Sequence, residues 1–363
     1  MDIIQKHLFY AQKHYLKYLT ENMKSQKSKR HYLLKNKQLR KGFLMMRRSK
    51  KANSKVVIVG VGAVGSATAY TAAIRGVCRE LVLVDTDALK AEGEAMDINH
   101  AIPLLEGMKV CSGGYEVCAD ADVIVITAGT GRKPGETRLD LAAKNAAICK
   151  NVIENIMKYY NGGVILIATN PVDVITSLVT KWVNLPKGRV VGSGTTLDNT
   201  RLEHELSKHL NIDISNIHGY ILGEHGDSQF ISWNLSNISG IDVETFFEMT
   251  GKKFDEETKN KIAEDVKTGG ASVIKRKGVT NLGIAACLVD VIHSILKDCS
   301  RIHTVSTILN GLYGIEGVAL SVLSVVGREG VLRQLDFPLS DGELVQLKNS
   351  AKQVKSVLDD ILK

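Results

Sequence analysis

A short β-branched run, Lys55-Val-Val-Ile-Val-Gly60, passes straight into Gly60-Val-Gly-Ala-Val-Gly65 and on through small residues to Gly76. The run reads as a buried strand ended by glycine, and the small-residue stretch as a helix with a glycine near its C-cap. Gly60 permits the tight turn between them. Gly62 lets the backbone approach a pyrophosphate, whose charge suits the helix N-terminus, and Gly65 lets helix and strand pack closely. Three spaced glycines are a weak signal alone. Here a second strand, Leu81-Val-Leu-Val-Asp85, ends on a carboxylate 20 residues beyond Gly65, and that context marks a dinucleotide site. Asp85 is positioned to accept hydrogen bonds from the adenine ribose and to repel a 2′-phosphate. The expected cofactor is therefore NAD rather than NADP.

Two further apolar runs, Val123-Ile-Val-Ile-Thr127 and Val164-Ile-Leu-Ile-Ala168, read as strands, with helical stretches between, notably Leu139–Tyr160. Strands alternating with helices predict a parallel sheet covered on both faces. The fold class is α/β, a Rossmann-type doubly wound sheet over residues 53–194. Beyond Ser193 the texture changes. Thr200–Leu210 and Phe254–Lys277 read as helices with mixed strands between, an α+β substrate domain over residues 195–363. Ser340-Asp-Gly-Glu343 has the form of a capping box. It opens a helix whose Leu347, Ala351, Val354, Leu358 and Ile361 form one packing stripe.

The net charge of +8 is unevenly spread. Residues 1–52 hold 15 Lys and Arg against 2 Asp and Glu, whereas residues 53–363 hold 32 against 37. The body is mildly acidic and gives no cause to expect nucleic acid. The leading segment is a basic N-terminal extension, read as a disordered arm or, preferably, a start-site artefact with Met45 or Met46 as the native start. A transit segment fits less well, because it is rich in Lys rather than Arg and Ser. No apolar run approaches a membrane span. The six cysteines show no paired spacing, which points to a reducing compartment, the cytoplasm.

The chemistry lies in three segments: Arg132-Lys-Pro-Gly-Glu-Thr-Arg138, Leu197-Asp-Asn-Thr-Arg201 and Gly223-Glu-His-Gly-Asp227. They offer an imidazole, a carboxylate to orient it and guanidinium forks that match a substrate carboxylate. Histidine suits a proton transfer that runs both ways, since its pKa lies near neutrality. In this order and spacing the segments resemble those of the L-lactate/malate dehydrogenase family, and the resemblance runs from about Lys55 to the C-terminus.

The resemblance implies roles, residue by residue. His225 is the acid/base, Asp198 its partner, Arg201 the grip on the substrate carboxylate, and Arg138 a mobile-loop arginine that polarises the ketone oxygen. Gly131 and Gly135 are flexible points of that loop. Thr127, Ala128, Gly129 and Ala168 lie at strand ends that meet the cofactor, together with Val64 and Asn151, while Asn170 contacts both nicotinamide and substrate. No metal is expected, since Arg138 takes the Lewis-acid role. The partners implied are a small 2-hydroxy or 2-oxo acid and further copies of the chain, as dimer or tetramer.

Arg132 divides the resemblance. Members that reduce pyruvate usually carry Gln there, and those that reduce oxaloacetate carry Arg. The surrounding Gly135-Glu-Thr-Arg138-Leu-Asp and the pocket threonine Thr280 match the lactate branch, so an L-lactate substrate is expected, with malate as the alternative. Effector-activated bacterial members also carry an Arg two places after the substrate arginine and a His upstream of the catalytic one. His218 fits the second role, but Glu203 occupies the first. A catalytically silent nucleotide-binding protein is the rival from another class. It requires the loss of a catalytic group, and none of His225, Asp198, Arg138 and Arg201 is missing.

Overall fold

The structure, a computed structural model, describes residues 54–105, 107–131 and 135–362. The basic segment 1–52 and Arg132 lie outside the described residues.

Strand β1 (Lys55–Val59) leads into helix α1 (Ala63–Ile74), then β2 (Glu80–Val84), α2 (Ala88–Ala101), β3 (Lys109–Ser112) and β4 (Val123–Ile126). Helix α3 (Arg138–Met157), β5 (Val164–Ile167), α4 (Val172–Trp182) and β6 (Val190–Gly192) complete the first half. These six strands are parallel, in the order β3-β2-β1-β4-β5-β6. That is the dinucleotide-binding order, with a switch point between β1 and β4 where ligands bind at the carboxyl ends of the strands.

Both faces of this sheet are dry. Val57 and Val59 of β1 join one buried cluster with Ile124 and Ile126, while Val56 and Ile58 join another with Val123 and Val125. Since successive side chains of a strand face opposite sides, burial of all of them requires helices above and below. Each such valine or isoleucine stabilises the fold by about 1.5–3 kcal/mol.

The second half begins with α5 (Thr196–Leu210), followed by five two-residue strands: β7 (Ile217–His218), β8 (Ile221–Leu222), β9 (Phe230–Ile231), β10 (Asn237–Ile238) and β11 (Ile241–Asp242). Then come α6 (Val243–Met249), α7 (Glu256–Lys277), α8 (Leu282–Lys297), β12 (Arg301–Asn310), β13 (Glu316–Gly327), β14 (Gly330–Gln334) and α9 (Asp341–Leu362). The two halves share one sheet. Strand β12 pairs antiparallel with β6 through Ser306 and Gly192, and β13 and β14 extend the same sheet to nine strands. A third, smaller core gathers Leu202, Leu206, Ile262, Val266 and Phe247 between α5, α6 and α7.

The capping box expected at Ser340 is present: the Glu343 carboxylate accepts the Ser340 N–H at 2.8 Å, and Ser340 Oγ accepts the Glu343 N–H at 3.3 Å. Leu347, Ala351, Val354 and Leu358 of α9 are buried, where the helix packs on α4 and β13.

Candidate active site

The glycine turn fits a dinucleotide. Gly60 has φ +101, and a Cβ there meets the Ala128 nitrogen at 2.5 Å; a Cβ at Gly65 meets the Gly60 oxygen at 1.9 Å. A Cβ on Gly62 meets nothing within 4 Å, so the backbone there borders open space. Gly62 is also the N-cap of α1, with no side-chain cap and no acidic residue in the first turn. The positive end of the helix is thus free for a phosphate. Beside it runs a cleft of about 640 Å³, bordered by Gly60, Gly62, Asp85, Thr127, Ala128, Gly129 and Asn151. The sequence reading missed Lys90, Tyr115 and Ile148 on its other walls. Val64 and Ala168 are half-buried against the core of the sheet rather than on that lining.

Asp85 directly follows β2 and faces the turn. One oxygen accepts the Val61 N–H at 2.7 Å and the other the Asp87 N–H at 3.0 Å. Burial pushes its carboxyl up, but these N–H groups, the Thr86 hydroxyl and the Lys90 charge outweigh burial and hold it below the usual carboxylate range. The group stays ionised.

Ion pairs join the described parts of the three chemical segments: Arg138 to Asp227, and both Arg201 and His225 to Asp198. Asp198 sits in the first turn of α5, where the helix N-terminus favours a carboxylate. The helix start is fixed by Thr195, whose hydroxyl donates to the Ile221 carbonyl at 2.5 Å, and by Asn199, which accepts the Ile221 N–H at 2.8 Å. Arg201 follows one turn later and gives its Nη1 to Asp198 Oδ1 at 2.7 Å. The guanidinium lies over Gly269 and Gly270 of α7, where a Cβ on Gly270 meets Arg201 Nη2 at 3.3 Å. Those glycines make room for the arginine, a requirement not noticed in the sequence.

His225 follows β8 on a loop anchored at Gly223. Gly223 has φ +93, exchanges hydrogen bonds with Ser321 at 3.0 and 2.9 Å, and leaves no space for a side chain against Ser350. The His225 Nδ1 lies 2.6 Å from Asp198 Oδ2. The Asp198 carboxylate, with support from the Asp173 charge, pushes the His225 imidazole up to about 9, against burial and the Arg201 charge. Burial raises Asp198 in turn, but the His225 charge and hydrogen bond bring it below the usual range. Both shifts favour an imidazolium on the buried carboxylate at neutral pH.

Arg138 is the first residue of α3, after a capping box in which Thr137 and Asp140 exchange hydrogen bonds at 3.1 and 3.0 Å. Its guanidinium is ion-paired with Asp227, two residues beyond His225. Asn170 is held through its carbonyl, which accepts from Asn145 Nδ2 at 2.7 Å. The same Asn145 amide takes the Thr130 N–H at 2.8 Å, joining the start of the loop to Asn170. Thr280 lies in the half-exposed turn before α8, which Asn281 ties to the Ala63 carbonyl at 3.3 Å. The sequence reading missed Asn145, and also Gln229, whose side chain bonds Asp198.

Residues 54–192 match the family described as lactate/malate dehydrogenase, NAD binding domain, and residues 195–363 match its alpha/beta C-terminal domain. The chain belongs to the lactate/malate dehydrogenase family. It is 46% identical over 310 residues to the L-lactate dehydrogenase of Thermoanaerobacterium saccharolyticum, covering 85% of this chain and 98% of that one. Among solved structures, a lactate dehydrogenase from a Medee basin deep-sea metagenome library superposes with a TM-score of 0.83 at 40% identity, over 86% of this chain and 99% of that one. The minor L-lactate dehydrogenase of Enterococcus mundtii, in a ligands-bound form, superposes at 0.82 with 38% identity, over 85% and 98%. The NAD-binding half of the family is the half that carries the glycine turn and Asp85, so the cofactor is NAD.

Proposed function

We propose that the chain is an NAD-dependent L-lactate dehydrogenase with His225 as its acid/base. The observation that carries this reading is the 2.6 Å contact of His225 Nδ1 with buried Asp198, which fixes one ring nitrogen and leaves the other for the substrate. The relatives named above are lactate dehydrogenases by name and cover 85–86% of the chain.

The bound cofactor supplies or accepts the hydride at the 2-carbon. In pyruvate reduction, His225 donates the proton of its free ring nitrogen to the ketone oxygen, and Asp198 stabilises the imidazolium until that moment. Lactate oxidation runs the same transfer backwards. Arg201 presents the face not bonded to Asp198 to the substrate carboxylate. Arg138 leaves Asp227 when the loop closes and stabilises the negative charge on the reacting oxygen.

Malate is the second reading, favoured only by Arg132. The textual match of Gly135–Asp140 and Thr280 to the lactate branch, and the names of the relatives, favour lactate. The resemblance also supports a homotetramer or dimer, working in the cytoplasm on pyruvate from glycolysis during fermentation. His225→Asn tests the role assigned to the ring. NADH binding, followed by fluorescence, is expected to stay within about twofold, while pyruvate turnover falls by about 10²–10⁴-fold. Turnover near that of the native chain contradicts the assignment.

A further inference from the structure

Asp173 lies in the first turn of α4, three residues beyond Asn170, and is 1% exposed. Its Oδ2 accepts the backbone N–H of His225 at 2.7 Å, and its Oδ1 accepts the Ser306 hydroxyl of β12 at 2.6 Å. Both donors are neutral. A carboxylate this deep is costly, and a neutral acceptor satisfies the same two donors with no buried charge. What a carboxylate adds here is its charge, placed beneath the loop that carries the reacting ring.

We propose, resting on the lactate dehydrogenase reading above, that Asp173 is a positioning residue for the acid/base step. Its carboxylate pins the His225 backbone to α4 and β12. The ring thereby keeps its register with Asp198 on α5 and with Asn170 at the start of α4. The carboxylate is also a second negative charge for the imidazolium, behind that of Asp198.

The groups around it set the balance. Burial pushes the Asp173 carboxyl up to about 6, and Glu224 on the His225 loop adds to that rise. The Ser306 hydroxyl, the His225 N–H and the His225 charge oppose it. Above that value Asp173 is ionised and acts on the ring together with Asp198, while Arg201 acts against both. A group serving only to hold the loop has no effect on where the ring titrates.

Two substitutions in the full chain separate tether from charge. Asp173→Asn keeps an oxygen for the His225 N–H and turns its amide N–H₂ toward Ser306 Oγ, so the tether survives and the charge is lost. Asp173→Ala removes both. NADH affinity is measured first and is expected within about twofold of native in each. For Asp173→Asn, the alkaline midpoint of kcat/KM for pyruvate is expected to fall by about half a pH unit or more, the lower bound set by one nearby charge at a water-like dielectric. For Asp173→Ala, kcat is expected to fall by about 10–100-fold, the cost of a misplaced reacting group.

An unchanged midpoint in Asp173→Asn overturns the charge, and a native kcat in Asp173→Ala overturns the tether. If Asp173→Ala does not fold, the midpoint in Asp173→Asn decides alone. Failure of the native chain to reduce pyruvate at all is a different result, and strikes the lactate dehydrogenase reading instead.

Discussion

Arg138 and Asp227 form an ion pair that joins the first residue of α3 to the loop carrying His225. Both side chains are more than half exposed, at 57% and 55%, so the pair contributes about 0–1 kcal/mol. The same guanidinium is the one assigned to the substrate oxygen, and in the proposed closure it leaves Asp227 to reach that oxygen. Asp227 therefore competes with substrate for Arg138. Asp227→Asn is expected to raise kcat/KM for pyruvate by up to about fivefold, the value of roughly 1 kcal/mol. Steady-state kinetics with NADH check it, and a lowered kcat/KM shows that Asp227 assists rather than competes.

The second prediction is a pH dependence. His225 is raised from 6.5 to about 9, chiefly by Asp198. Its ion pair is then fully present below 6.5 and is lost as pH rises through about 9. Pyruvate reduction needs the protonated ring, so its kcat/KM should hold through neutrality and fall as pH passes about 9. Lactate oxidation needs the free base and should rise over the same window. Asp198→Asn removes the main cause and should bring the midpoint back toward 6.5. A native midpoint already near 6.5 contradicts the imidazolium–carboxylate pair.

The dinucleotide turn was legible because its signal is local. Gly60, Gly62 and Gly65 act within six residues, and Asp85 directly follows the next strand. β3 and β6 were not legible: they are four and three residues long and carry too little periodicity to read. Nor was the union of β12 with β6, since a single pairing of Ser306 with Gly192 joins segments more than a hundred residues apart. The site divides in the same way. His225, Asp198 and Arg201 stand in dense short motifs. Asn145 and Asp173 sit in helix text like any other and Gln229 in a loop outside the motifs, and only the folded chain brings their side chains to the site.

A third prediction concerns regulation. Glu203 stands two places after Arg201, where the resemblance puts an arginine in effector-activated members, and its carboxyl turns inward to accept the Gly219 N–H at 3.3 Å. Burial pushes it up to about 7, so the negative charge is complete only above neutrality. Even when neutral it offers no cation to a phosphate, and when ionised it repels one. Millimolar fructose 1,6-bisphosphate should therefore leave the KM for pyruvate unchanged at pH 6 and at pH 8. Activation of several-fold at either pH shows that the site does not need a cation at Glu203.

The substrate is decided by one comparison: kcat/KM with NADH for pyruvate and for oxaloacetate, measured side by side on the native chain and on Arg132→Gln. A guanidinium buried against the methyl group of pyruvate is costly, so pyruvate gains nothing from the Arg132 charge, whereas oxaloacetate would. The account predicts that the native chain prefers pyruvate and that Arg132→Gln improves pyruvate use only modestly. A native preference for oxaloacetate of about tenfold or more, which is about 1.4 kcal/mol of differential binding, reversed by Arg132→Gln, contradicts it.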